Sequence, residues 1–118
     1  MKTELTKEQS ARLIELGVPK EKASIKKIDE IRVIRNKEVC DWSYKFTLTD
    51  LLEILPKEIR MENATHSLRI ESWECSCGIV WDVQYVGIPD SFIQGGNLIN
   101  LLFETLCWVI ENGHLKFD

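Results

Sequence analysis

The residues best suited to chemistry in this chain are two cysteines that stand two positions apart, Cys75 and Cys77. Thiolates bind soft metals, and a pair of thiols can also carry out redox chemistry. A structural zinc site needs four ligands, and no second cysteine pair accompanies these two in the sequence. We therefore predict no metal and no bound cofactor, and we keep a metal- or thiol-dependent enzyme built on Cys75 and Cys77 as an alternative.

The two histidines, His66 and His114, give no stronger indication of catalysis. His114 follows Glu111 by three positions, but no second Glu-x-x-His copy exists to complete a di-metal centre. A cysteine–histidine nucleophile pair would have to form in space, because no local signature supports one. We predict no catalytic residue.

Three tryptophans suggest binding instead, because each stands among polar neighbours outside a clean apolar stripe. They are Trp42, Trp73 and Trp108. Tryptophan is enriched at the energetic centres of protein–protein interfaces. We predict that these three residues form an interface, either with a second copy of the chain or with another protein.

Composition places the chain among globular proteins, with 118 residues, 44% hydrophobic and 29% charged. This length fits a single domain over residues 1–118. No apolar run approaches the ~18 residues of a membrane-spanning helix, and the charged first residues do not resemble a secretory signal. We expect a cytoplasmic protein with no membrane partner.

Charge argues against nucleic acid as the expected partner, since the net charge is −4 and the sequence pI is about 5.2. The basic residues are nevertheless concentrated between Lys20 and Lys37, within a basic-rich connecting segment at 19–45. Glu21, Asp29 and Glu30 interrupt this run. A regulator that docks nucleic acid through Lys20–Lys37 is a second alternative.

Three helices can be placed from their capping residues. Thr6 with Gln9 predicts a helix from about Lys7 to Leu16, with Gly17 after its end. Thr47 with Asp50 predicts a second helix, which Pro56 ends. Asn97 predicts the start of a third and unusually apolar helix from Leu98 to Asn112.

Residues 67–86 carry the strongest strand signal, because apolar and polar residues alternate on both sides of the two cysteines. Two hairpin registers keep the apolar residues on one face. The first opposes Trp73 to Gly78 across a loop of residues 74–77. The second opposes Glu74 to Ile79 and places Glu71 against Asp82. We favour the first, because the second sets like charges opposite each other and the first lets Trp73 cover a strand glycine.

Residues 19–45 are ambiguous. Isoleucines recur at every third position from Ile25 to Ile34, which suits a helix face. The segment Ile31–Arg35 is also rich in β-branched residues, and Asn36-Lys37 could turn the chain back into a strand at Val39–Trp42. We favour a short strand near Ile31–Arg35.

These elements predict an α+β fold, in which an antiparallel hairpin with a possible third strand packs against two or three helices. The hairpin of residues 67–86 and the final helix should pack together in one hydrophobic core that excludes water. The predicted core residues are Leu51, Leu52, Leu55, Leu68, Ile70, Trp81, Val83, Leu102, Leu106 and Val109.

Several blocks of this sequence carry a resemblance to a known group of proteins: residues 47–59, Leu68-x-Ile70, Trp81-x-Val83-x-Tyr85, 107–113 and the early 13–18. Together they resemble short uncharacterised proteins carried by prophages and other mobile elements of gut anaerobic bacteria. The resemblance implies a cytosolic bacterial or phage setting and a small α+β fold, and it brings no activity, cofactor or catalytic residue. The function we predict is therefore that of a small, non-enzymatic accessory or interaction protein that self-associates.

Overall fold

A computed structural model describes residues 2–117 and shows an α+β fold with three helices and two antiparallel sheets. One sheet has two strands, in the order β1-β2, and the other has four, in the order β3-β4-β5-β6. The elements in chain order are α1 (Lys7–Glu15), β1 (Ile25–Ile34), β2 (Lys37–Lys45), α2 (Leu48–Ile54), β3 (Glu58–Met61), β4 (Ala64–Cys75), β5 (Gly78–Tyr85), β6 (Ile93–Gly95) and α3 (Leu98–Glu111).

The helix boundaries follow the predicted caps. The Thr6 hydroxyl accepts a hydrogen bond from the backbone N–H of Gln9, whose side chain bonds back to the Thr6 N–H. At the other end Gly17 adopts a φ of 109°, and the Val18 N–H donates to the carbonyl of Leu13 at 3.0 Å. Because these backbone groups have no partners inside the helix, such local bonds fix where α1 begins and ends.

The core lies between the four-stranded sheet and the helices, as predicted. Strand β5 buries Val83 and Tyr85 in the same apolar cluster as Leu102 and Leu106 of α3. Six of the ten predicted core residues are fully buried: Leu51, Leu55, Val83, Leu102, Leu106 and Val109. The other four are half-buried at the margin of this cluster: Leu52, Leu68, Ile70 and Trp81.

The hairpin of β4 and β5 is present, but the favoured register is wrong. Cys75 pairs with Gly78, so the loop has two residues rather than four. Trp73 lies opposite Val80 and does not cover Gly78. The observed pairing is the rejected one, with Glu74 opposite Ile79 and Glu71 opposite Asp82.

The like charges at Glu71 and Asp82 are tolerated because each carboxylate has its own partner. Asp82 accepts hydrogen bonds from the Trp73 indole N–H at 3.3 Å and from the Gln94 amide at 2.7 Å. Glu71 lies 3.6 Å from the Arg69 guanidinium on its own strand. The repulsion between Glu71 and Asp82 is therefore weaker than the pairing of two carboxylates alone suggests.

Residues 25–45 form a long antiparallel hairpin, so the favoured strand is present but extends over Ile25–Ile34. The every-third isoleucines lie on β1, where a bulge between Ile28 and Glu30 interrupts the alternation. The turn is one residue earlier than expected, at Arg35-Asn36, and both residues have positive φ (53° and 64°). Two successive residues of this kind are typical of the type I′ turns that join tightly twisted hairpins. The basic-rich segment is therefore mostly this hairpin, which we call the arm.

Candidate functional site

The arm projects from the rest of the molecule, which we call the body. None of the residues 25–45 is buried. The molecule measures 58 × 41 × 17 Å, and its radius of gyration is 17.1 Å, whereas a compact chain of this length has about 13.5 Å. A two-stranded sheet of this length has no core of its own, so both of its faces meet solvent.

One face of the arm is apolar. In the observed register, Ile28 lies opposite Trp42 and Ile31 lies opposite Cys40, and side chains on alternate positions point the same way. The bulge at Asp29 keeps Ile28 and Ile31 on the same side although they are three positions apart. We call this surface the apolar face; it comprises Ile28, Ile31, Val33, Cys40, Trp42 and Tyr44.

The apolar face is open over most of its length. Exposure is 57% for Ile31, 71% for Val33 and 46% for Trp42. The opposite face carries more charge, including Arg32 and Asp41, which form an ion pair at 3.0 Å. Large apolar side chains grouped on one exposed surface mark an interaction site more reliably than scattered ones do.

The two ends of the apolar face carry charges of opposite sign. At the base, the Lys26 ammonium lies 4.4 Å from the centre of the Trp42 ring and 5.9 Å from that of Tyr44. A second cation at the base, the Lys20 ammonium, lies 5.5 Å from the centre of the Tyr44 ring. At the tip, Glu38 pairs with Val33 across the hairpin. The face is therefore an apolar strip with cations at the body end and an anion at the turn end.

A groove continues the apolar face onto the body. It has a volume of about 140 Å³ and lies where β2 meets α1. A cavity of about this size can accommodate a group as large as benzene. The groove is lined by Lys7, Ala11, Ile14, Trp42, Ser43 and Tyr44.

Two contacts near the start of β1 join the base of the arm to the body, in addition to the ion pair of Lys45 with Glu4 at 3.6 Å. The carboxylate of Asp50, in α2, accepts hydrogen bonds from the backbone N–H of Ser24 at 2.8 Å and from the Ser24 hydroxyl. Lys7 of α1 forms an ion pair with Asp29 at the bulge. The arm is thereby held at both the strand start and the bulge, and its apolar face is presented in a defined direction.

Burial of Asp50 would by itself raise the pKa of its carboxyl group, but its hydrogen bonds to Ser24 and Thr47 outweigh this effect and lower the pKa. Asp50 is 5% exposed and also completes the capping box of α2. The carboxylate lines a second cavity of about 290 Å³ beside the arm base. Because its oxygens are occupied by these donors, Asp50 has a structural role there.

The three predicted interface tryptophans lie in different surroundings. Trp42 is on the apolar face, whereas Trp73 lies on β4 and donates to Asp82. Trp108 is half-buried within its own chain, with its ring centre 6.4 Å from that of Tyr85 and 5.3 Å from that of His114. The structure therefore brings none of the three together, and it places Trp42 alone beside other exposed apolar residues.

The two candidate thiols, Cys75 and Cys77, lie at the turn between β4 and β5. A hydrogen bond from the Cys77 thiol, together with backbone N–H donors, lowers the pKa of Cys75. Cys107 differs, because burial and the nearby Glu111 carboxylate raise its pKa to about 11. Among residues 2–117, no three histidine, cysteine or acidic side chains are placed to share a metal ion.

The contacts of the two histidines involve other residues than Cys75 and Cys77. The Nδ1 atom of His66 lies 2.8 Å from the carbonyl oxygen of Val86, and His114 packs on Trp108. Within the described part of the chain, every buried side-chain nitrogen or oxygen has a hydrogen-bond partner.

The basic residues between Lys20 and Lys37 do not form one surface. Lys26 lies over the aromatic rings of the apolar face, and Lys27 and Arg32 occupy the opposite face. Arg32 is moreover paired with Asp41. The alternation of the strand thus divides the positive charge that the sequence concentrates.

Sequence reasoning missed the main participants of the candidate site, Ile28, Ile31 and Val33. The spacing of Ile28 and Ile31 suited a helix because the bulge at Asp29 adds one residue to the strand alternation. The available signal was the high content of β-branched residues on both sides of Arg35-Asn36.

The chain matches no protein-family model, no curated protein and no solved structure. Over the described residues, no helix combines the length and the apolar character needed to cross a bilayer.

Proposed function

We propose that this chain is a non-enzymatic interaction protein that self-associates through the apolar face of its arm. The observation that supports the proposal most strongly is the exposure of several large apolar side chains on one side of a projecting hairpin. Removing such surface from water favours association by roughly 25 cal/mol per Å². The contacts of Asp50 and Lys7 at the base of the arm add support, because a surface that is held in place before binding loses less entropy on binding.

Of the three predicted interface tryptophans, this proposal keeps Trp42 and gives no role to Trp73 and Trp108. Trp108 already stacks on Tyr85 within the chain, so much of its ring is covered. Trp42 lies in the middle of the apolar face and borders the groove against α1. A setting in a prophage or another mobile element belongs to the proposal as well, on the resemblance of the sequence blocks alone.

Two matched substitutions test the proposal. Ile31, on the apolar face, is 57% exposed, and Ile79, on the body hairpin, is 54% exposed. Ile31→Ser removes apolar area from both copies of a symmetric dimer and should weaken dimerisation about tenfold or more. Ile79→Ser removes the same groups elsewhere and should leave the dimerisation constant unchanged. Sedimentation equilibrium measures both.

Equal effects of Ile31→Ser and Ile79→Ser would mean that general surface hydrophobicity, and not the arm, drives association. A native chain that remains monomeric at several hundred micromolar would contradict self-association altogether. Circular dichroism of both variants shows whether the fold is retained.

A further inference from the structure

We infer that the partner of the apolar face is a second copy of this chain, packed face to face and antiparallel, with the tip of each arm at the base groove of the other. The inference rests on the proposed function and adds the partner's orientation and its contacts. It is carried by the charges at the ends of the face and by the position of the groove.

The charge pattern selects the antiparallel orientation. Lys26 lies at the base of the face and Glu38 at the tip, with the apolar residues between them. A two-fold axis across the strands in the middle of the face, between the Ile28–Trp42 and Ile31–Cys40 pairs, lays β1 on β1 and β2 on β2. It places each Lys26–Tyr44 pair opposite the other copy's Val33–Glu38 pair, with Lys26 diagonally across from Glu38. A parallel arrangement would set Lys26 against Lys26 and Glu38 against Glu38. Complementary charges of this kind fix the register of an interface.

The same axis brings the tip of one arm to the groove of the other copy. Val33 is the most exposed of the large apolar residues on the arm, at 71%, and it lies beside Glu38. The groove between Tyr44, Ala11 and Ile14 lies at the opposite end of the face. An aliphatic side chain of this size fits a volume of about 140 Å³.

Edge-to-edge pairing of arms is disfavoured by β1 itself. Its bulge at Asp29 interrupts the row of backbone donors and acceptors, and Asp29 is tied to Lys7. Bulges and charges on edge strands are common means of preventing strand addition. Pairing through the edge of β1 is therefore disfavoured relative to packing through the apolar face.

The size of the face predicts a weak dimer. Two strands of about ten residues present a surface of roughly 30 Å by 10 Å, or about 300 Å² on each copy. Stable interfaces bury about 800 Å² on each partner. The contact of each tip with the other copy's groove adds to this area, and we expect dimerisation constants in the micromolar range or weaker.

Charge reversal tests the orientation. Lys26→Glu or Glu38→Lys alone replaces two attractive contacts by repulsive ones and should weaken dimerisation about tenfold. An equal mixture of the two single variants should associate like the native chain, because both cross-pairs in the mixed dimer are again of opposite sign. Within one arm the two positions are about 20 Å apart, well beyond the ~8 Å screening length, so recovery must arise between chains.

Lys27→Glu is the matched control, because Lys27 lies on the opposite face of the same strand. It should leave the dimerisation constant within about twofold of the native value. A parallel dimer predicts single variants that associate like the native chain and a mixture that associates more tightly than it. That outcome, or a mixture that associates no better than its components, would show that the antiparallel orientation is wrong, although the arm can still mediate association. If Ile31→Ser also has no effect, the proposed function fails as well.

The groove contact has its own test. Ala11 is exposed on α1 and lines the groove, and Ala11→Gln fills the groove with a polar side chain. Val33→Ser removes the apolar group expected to occupy it. Each substitution should weaken dimerisation several-fold. The double variant should dimerise as well as the more severely weakened single variant, because both substitutions remove the same contact. Fully additive effects would overturn the placement of the tip in the groove.

Discussion

Asp50 shows how one residue can join the helix chemistry of the body to the position of the arm. Its carboxylate accepts the Thr47 N–H at 2.9 Å within the cap of α2 and the Ser24 N–H at 2.8 Å immediately before β1. Hydrogen bonds to a charged group contribute roughly 1.5–3 kcal/mol each when they are shielded from water. Asp50 therefore stabilises both the helix start and the base of the arm.

Asp50→Asn should lower the free energy of unfolding by about 2 kcal/mol at pH 7, because it removes charge-assisted hydrogen bonds. The pKa of Asp50 is lower in the folded chain than in the unfolded one. The stabilisation is therefore fully present above about pH 4 and is lost as the pH falls through the lower folded pKa. Urea unfolding at a series of pH values measures this difference.

Asp90→Asn is the control for that series, since Asp90 is exposed and the substitution removes the same charge. It should change the free energy of unfolding by less than about 0.5 kcal/mol. A destabilisation by Asp50→Asn that is as large at pH 3 as at pH 7 would contradict the role given to the carboxylate.

The cysteines should differ in their reactivity towards a disulfide reagent at neutral pH. Cys75 should react quickly, because its pKa is lowered and it lies at a turn, whereas Cys107 should react after unfolding, because its pKa is raised to about 11. Cys77→Ala removes the thiol donor and should slow the reaction of Cys75 several-fold. An unchanged rate would show that the Cys77 thiol does not activate Cys75.

At the scale of the element, the arm depends on a turn with an unfavourable residue. Arg35 has a φ of 53°, a conformation that costs a side-chain-bearing residue about 1 kcal/mol. Replacing Arg35-Asn36 by Asn-Gly, the preferred type I′ sequence, should stabilise the arm by about 1 kcal/mol. Amide hydrogen exchange in β1 and β2 should then slow about fivefold, while exchange in β4 and β5 stays unchanged.

Unchanged exchange in the arm would show that the turn does not limit its stability. Asn36→Ala provides the opposite control, because alanine tolerates a φ of 64° less well than asparagine does. It should accelerate exchange in β1 and β2.

The helices could be predicted from sequence because their ends are fixed by local bonds, such as those of Thr6, Gln9 and Gly17. The register of β4 and β5 could not be predicted in this way. It places Asp82 opposite Glu71, and the Asp82 carboxylate is stabilised by a hydrogen bond from Gln94 of a third strand. The full length of the arm, and the face that Ile28 and Ile31 share, escaped prediction for a related reason. The isoleucine spacing of the arm is set by a bulge at Asp29, which is held by Lys7 from another element.

The candidate site was only partly visible in the sequence. Trp42 could be identified from its type and polar neighbours, but its partners Ile28 and Ile31 could not be placed on the same face without the register. Trp108 illustrates the converse. It stands on the narrow polar side of α3 that Asn100, Glu104 and Glu111 also occupy. Tyr85 and His114 nevertheless cover it, and neither contact can be inferred from α3 alone.

At the scale of the whole molecule, the structure combines a packed body with an arm that has no buried residue. A two-stranded sheet alone is marginally stable in water, so the arm depends on its fixed base and, in the proposed dimer, on the apolar face of another arm. The elongated shape, with a longest extent of 58 Å, leaves this face accessible to a second copy.

The most direct test of the proposed self-association is the molar mass of the native chain in solution as a function of concentration. Sedimentation equilibrium at neutral pH should give a mass near 13.7 kDa at low micromolar concentration and a value that rises towards twice that mass at several hundred micromolar. A mass that stays at 13.7 kDa throughout would contradict the account.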